Sequence, residues 1–266
     1  MTSPSEIQIP SLTLYSGFPT RGRHVASPFV NKLETRLRLG GVTYKVATGS
    51  VFKAPRGKIP YLDVEGTPGT VPEQLADSTL ITRRLVADGY LQDLNAGLTP
   101  VERARDLGVR ALLEDKLYFY QVRERWIDNY YVMRDNALSA MPFFVRFFIG
   151  LLAYRSTKAR LLGQGVLRFT DDEAKNTKLE VWENVNALLV GSRNNAYETE
   201  KAGPFWILGG ANPTEADATV FGFIAAALDC PQAPATEQIV RSFPVIMDYA
   251  RRIHEQYFSD YELWKE

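Results

Sequence analysis

Between residues 12 and about 90, short apolar runs alternate with helical stripes. "LTLYS" reads as a strand, and so do "VTYKVA" and "IPYLDVEG" further on. Between the first two, Val30, Leu33 and Leu37 recur at i, i+3, i+7 after a Ser-Pro start and before Gly40-Gly41, which predicts a helix with one apolar face. Strand, helix, strand in that order implies a parallel βαβ unit, because parallel neighbours need a crossover. Asp77 or Ser78 then caps a helix carrying Leu80, Ile81, Leu85 and Val86. After "NAGLTP" at 95–100 the strand signal stops. Helical periodicity takes over at 101–134, roughly 142–162, 171–190, 214–229 and 239–257, with Gly, Pro and Asn clusters between. The expected organisation is an α/β domain over 1–94 leading into an all-helical domain over 95–266.

Two stretches in the helical half carry sharper signals. In "NPTEADATVFGFIAAAL", Thr214 and Asp217 stand in capping-box spacing ahead of an apolar run, which marks a helix start rather than chemistry. "MPFFVRFFIGLLAY" at 141–154 is the greasiest segment, but with Arg146 inside it falls short of the roughly 20 residues a membrane-spanning helix needs. It is expected to be a buried or interfacial helix and not a membrane anchor.

Composition narrows the function. The 266 residues carry 31 basic and 31 acidic side chains, so no overall field recruits nucleic acid or an anionic surface. One cysteine, Cys230, gives no internal disulfide, and with two histidines, His24 and His254, no metal site is expected. Cys230 reads most simply as a small buried hydrophobe. The N-terminus lacks the basic start and apolar run of a secretory leader, and "NPT" at 212–214 is blocked as a glycosylation sequon by its proline. A cytoplasmic protein without membrane insertion or nucleic-acid binding is expected.

The candidate chemistry lies in "VASPFVNKLETRLRLGG" at 25–41. Ser27 before Pro28 suits an ordinary N-cap. The mouth of a helix is also where partial positive charge holds an anion such as a thiolate.

Five segments, in order, carry a resemblance: "SPFVNKLETRLRLGGVTY", "GKIPYLDVEG", "LADSTLI", "GQGVLRFTDDE" and "PTEADATVFGFI". Together they resemble the cytosolic glutathione transferase superfamily, most closely its failed-axon-connections and metaxin-like branch. The resemblance implies a thioredoxin-like α/β N-terminal domain followed by an all-α C-terminal domain. It also implies glutathione as co-substrate, a small hydrophobic electrophile or a peroxide as second substrate, and a homodimer. A non-catalytic binder, carrier or assembly protein on the same fold is the alternative.

By the same resemblance, Ile59-Pro60 falls where the superfamily has a cis bond that exposes backbone to an added peptide strand. Lys58 beside it is a candidate for a ligand carboxylate. Asp77 and Ser78 match the acidic-serine pair that receives the γ-glutamyl group. Ser27 matches the active-serine or active-cysteine position, and Val30 stands where the second cysteine of a Cys-Pro-x-Cys segment would be, so disulfide exchange is excluded there. Tyr15 is the rival for holding the sulfur as thiolate, and Ser16 a weaker third. The insertion "GFPTRGRHVA" departs from compact relatives. Tyr118, Trp126, Tyr130 and Tyr131 are candidates for an electrophile pocket between the domains.

Overall fold

The protein is described from a computed structural model over residues 10–66, 71–139, 141–197 and 203–265. The first nine residues, where a leader was not expected, lie outside the described residues. Strands β1 (Ser11–Tyr15), β2 (Lys45–Ala47), β3 (Tyr61–Glu65) and β4 (Glu73–Ala76) form one sheet in the order β2-β1-β3-β4. β1 and β2 are parallel, joined across helix α1 (Pro28–Leu39), and β3 and β4 add antiparallel. The predicted βαβ unit is therefore present. The fourth strand had no apolar alternation to reveal it, since "EQLA" is a polar, partly exposed edge. Leu12, Leu14 and Leu62 of the sheet bury against Val30, Leu33 and Leu37 of α1 and Ile81 and Leu85 of α2 (Ser78–Ala87).

The helical region opens with α3 (Pro100–Ala111), which runs on through a π-wound turn (Leu112–Leu117), α4 (Tyr118–Arg123) and a second π-wound turn (Glu124–Asp128). Asn129 leaves helical geometry, and α5 (Tyr130–Ala137) begins afresh, so the predicted single stretch 101–134 is broken. α6 (Phe143–Gly163), α7 (Asp171–Tyr197) and α8 (Glu215–Leu228) follow. The predicted helix 239–257 is two helices, α9 (Pro234–Arg241) and α10 (Pro244–Tyr257). Pro244 lacks a donor and forces Phe243 into extended backbone, which ends α9.

α8 is apolar on every side because it is enclosed on every side, and Ala216 to Leu228 are all buried. Asp217, fully buried, accepts hydrogen bonds from the Thr214 N–H (2.8 Å) and hydroxyl (3.0 Å), the Ile207 N–H (2.7 Å) and the Tyr249 hydroxyl (3.0 Å). One face of α8 lies directly on α1. A Cβ on Gly222 would come within 2.6 Å of the Lys32 backbone nitrogen and 2.8 Å of the Pro28 carbonyl oxygen. Glycine here permits the two backbones to touch.

The loop "GFPTRGRHVA" docks on the end of the chain. The Gly22 carbonyl accepts from the Glu262 N–H (2.8 Å), Arg23 pairs with Asp229 (2.9 Å), and His24 meets His254 of α10 (3.0 Å). What stands out in sequence as an insertion is a clamp between the two halves.

Candidate functional site

Sheet register gathers the candidates at one end of the molecule. Tyr15 pairs with Tyr61, and Tyr61 pairs with Ala76. The residues next to these partners, Ser16, Pro60 and Asp77, therefore sit at one edge, about 4.8 Å apart per strand step. The chain leaving β1 at that edge leads to Ser27 and α1. The Ile59–Pro60 peptide bond is cis. Among the described residues Ile59 makes no backbone hydrogen bond, and its side chain packs over Gly17. Lys58 is exposed beside it.

Asp77, not Ser78, caps α2. Its Oδ1 accepts from the N–H groups of Thr79 (3.0 Å) and Leu80 (3.2 Å). Asp77 also holds φ at 76°, a region that non-glycine residues rarely enter and that clusters at binding sites. Ser78 is buried directly behind it.

Ser27 occupies the N-cap position of α1, and its carbonyl accepts from the Asn31 N–H (3.2 Å). Its hydroxyl makes no capping bond, contrary to ordinary N-cap behaviour, and the residue is half-buried. The approach to Ser27 is held from both domains. The Asn31 amide clasps Val25, donating to its carbonyl (2.8 Å) and accepting from its N–H (3.1 Å). Buried Arg125, in the second π-wound turn, donates to the Ala26 carbonyl (2.8 Å) and to the Gln121 carbonyl (3.2 Å). The π-wound register turns Arg123, Glu124 and Arg125 inward together. In sequence "RER" resembles a solvated run; nothing local marks it as interior.

Tyr15 is placed differently. Its hydroxyl donates to Asp63 Oδ2 (3.0 Å) and its ring stacks on Tyr61 (centroids 4.4 Å). Burial, then the bond to Asp63, raises its pKa. Ser16 is buried, its hydroxyl donating to the Phe18 carbonyl (3.2 Å). Both alternatives to Ser27 thus spend their hydroxyl protons on the protein.

A second residue missed in sequence is Lys32. Buried on α1, it donates to Thr79 Oγ1 (2.9 Å) at the start of α2 and to Glu114 Oε1 (2.6 Å) in the helical region. Thr219 of α8 donates to the same carboxylate oxygen (2.8 Å). The network ties the Asp77–Ser78 turn to both α1 and the helical region. A lysine inside the first helix's polar positions gave no hint of this, because the elements that bury it, α2, α8 and the first π-wound turn, come later in the chain.

The four aromatic candidates are not brought together. Tyr118 packs edge-on against Phe29 (4.9 Å), two residues from Ser27. Tyr130 instead packs on Tyr154 of α6 (5.1 Å), and Tyr131, 70% exposed, packs on Tyr130 and under Arg134. Trp126 is partly buried in the π-wound turn. The break at Asn129 sets Tyr130 against α6 and Tyr131 against Arg134. An open cleft of about 750 Å³ lies elsewhere, along β2 between Arg38, Tyr44, Lys45 and Asp260. Arg38 there is engaged by Asp260, Tyr44 and the Tyr257 carbonyl, so the cleft is a structural seam.

A family model described as the glutathione S-transferase N-terminal domain matches residues 28–131, and one described as the glutathione S-transferase C-terminal domain matches 204–253. The isoprene-epoxide–glutathione S-transferase of Rhodococcus sp. (strain AD45) is 26% identical over 263 residues, covering 92% of this chain and 99% of that protein. Among solved structures, beta-etherase LigF from Sphingobium sp. strain SYK-6 aligns with a TM-score of 0.56 at 16% identity, over 94% of this chain and 99% of its own. A glutathione transferase family member from Pseudomonas fluorescens pf-5, solved with two glutathione bound, aligns at 0.51 and 16% identity, over 95% and 91%. At these identities the structures share a fold with this chain.

Proposed function

Because the chain belongs to the glutathione S-transferase superfamily, we propose that it activates the glutathione thiol at the mouth of α1 for attack on a small electrophile. Division of labour follows the two domains, divided near residues 94 and 95. The α/β domain holds the tripeptide, laid along Ile59 as an added strand, with Lys58 toward a carboxylate and the Asp77–Ser78 turn receiving the γ-glutamyl end. Tyr118 beside Phe29 offers the nearest aromatic wall for the electrophile, and Trp126 a second. The finer likeness to the failed-axon-connections and metaxin-like branch rests on the five quoted segments. The setting we propose is a cytoplasmic homodimer.

The observation that carries the reading is the uncommitted Ser27 hydroxyl, held at a helix N-terminus while Tyr15 donates to Asp63. Glutathione loses its thiol proton to solvent, Ser27 donates to the sulfur, and the sulfur bonds to the electrophilic carbon as that carbon's bond to its leaving atom breaks. A free thiol with a pKa of about 8.5 is only a few per cent ionised at neutral pH. A hydrogen bond to a charged acceptor contributes about 1.5–3 kcal/mol, or about 1–2 pKa units, enough for half ionisation. The curated relative's name makes an epoxide the first electrophile to try.

The test is glutathione-affinity retention followed by turnover of a panel of epoxides, aryl halides and peroxides, with thiolate absorbance titrated against pH. Ser27→Ala should raise the bound thiol's pKa by about 1–2 units, from the same hydrogen-bond range. Tyr15→Phe should leave it in place. The reverse pattern would move the role to Tyr15, and retention without turnover would make the protein a carrier.

A further inference from the structure

α6 turns an apolar face outward. Phe143, Phe144, Phe147 and Phe148 are 63%, 77%, 47% and 63% exposed, and Leu152 is 66% exposed. With Leu151 they recur at i, i+1, i+4, i+5, i+8 and i+9, which at the helical period makes one unbroken stripe about 15 Å long. The helix is packed elsewhere along its length: Gly150, Thr157 and Leu161 are buried, Gly150 lying against Arg134 and Tyr130.

The second half of the same helix is cationic. Arg155, Lys158 and Arg160 are exposed. No carboxylate occurs in the sequence between Asp135 and Asp171, although the whole chain balances 31 against 31. The helix is thus apolar at its start and basic toward its end. Among the described residues, no helix is long and apolar enough to cross a membrane.

We propose that α6 seats in the interface of an anionic lipid bilayer, its phenylalanine stripe among the upper acyl chains and Arg155, Lys158 and Arg160 against the headgroups. An exposed stripe of this kind marks an interaction surface, and a basic helix with a Phe/Leu face partitions into anionic interfaces by adding apolar burial to charge attraction. A second copy of the chain fits worse. A two-fold pairing centred on the phenylalanine stripe runs the two helices antiparallel and leaves Arg155, Lys158 and Arg160 beyond the contact, whereas an anionic surface engages both halves of the helix.

The experiment uses the full chain with vesicles of phosphatidylcholine, with or without one-third phosphatidylglycerol. The protein should float with the anionic vesicles and at least tenfold less with neutral ones, and added salt should release it. F144S/F148S should cut flotation at least tenfold with an unchanged melting temperature, and R155E/K158E should do the same on anionic vesicles. F148W should gain a blue-shifted emission over the unsubstituted protein, quenched by acyl-brominated lipid; this readout stands even if the serine variant folds poorly. No flotation on anionic vesicles, or flotation unaffected by F144S/F148S, would overturn the proposal. So would a dimer in sedimentation velocity that F144S/F148S splits without any vesicle binding.

Discussion

Acidification to about pH 5 strikes the clamp between the domains through one imidazole. His24 is 3% exposed, ringed by Phe221, Phe258, Tyr261 and Trp264. His24 Nε2 and His254 Nδ1 lie 3.0 Å apart, one donating to the other according to tautomer. His24 Nδ1 has no partner, and a proton placed there would be buried without an acceptor. Burial first, then the His254 ring and Arg38, lower the His24 pKa to about 3. The unfolded chain binds this proton near pH 6.5 and the folded chain does not, so stability falls as pH drops below 6.5. Between about pH 7 and about pH 5 the loss from His24 alone is about 2 kcal/mol.

Asp217 works in the other direction. Burial raises its pKa to about 6, so the folded state takes up a proton that the unfolded chain binds only near the ordinary carboxylate value, and acid stabilises that group. Over the same interval this offsets about 1 kcal/mol. The two contributions separate in a comparison of the unsubstituted protein with His24→Gln, because Asp217 titrates in both. Urea unfolding at the two pH values should show the difference in stability between them shrinking by about 2 kcal/mol on acidification. With two histidines in the chain, imidazole NMR resonances give a direct check. Parallel pH profiles for the two proteins, or a His24 resonance titrating near 6.5, would refute the burial argument.

Gly222→Ala should destabilise by about 1–3 kcal/mol in thermal unfolding, because the new methyl meets backbone of α1, which cannot rotate away. Asp77→Asn keeps a competent cap and removes the charge; we expect weaker glutathione binding by calorimetry with unchanged melting, whereas unchanged affinity would reduce Asp77 to its capping role. Arg125→Met removes the donor to the Ala26 carbonyl and should lower kcat/KM about tenfold or more, on the scale of a lost charged hydrogen bond, measured with the best electrophile found.

Local encoding made much of the architecture legible. Val30, Leu33 and Leu37 mark one face of α1, Gly40-Gly41 mark its end, and Thr214 with Asp217 marks the start of α8, because caps and periodicity are settled within a few residues. The polar strand β4 escaped because an edge needs no apolar face. The break between α9 and α10 is encoded by Pro244, whose effect on Phe243 the apolar periodicity of 239–257 masks.

Only the folded chain shows how differently the candidate hydroxyls are engaged. Ser27, Tyr15 and Ser16 each offer a hydroxyl in the sequence, and our preference for Ser27 rests on Asp63, which sheet register brings to Tyr15 across 48 residues. Arg125 reaches Ala26 across 99 residues, and Lys32 reaches Glu114 across 82, through helix contacts with no sequence period. A hydroxyl's free lone pairs and proton are set by what packs beside it, so the amino-acid order nominates the chemistry and long-range contact selects it.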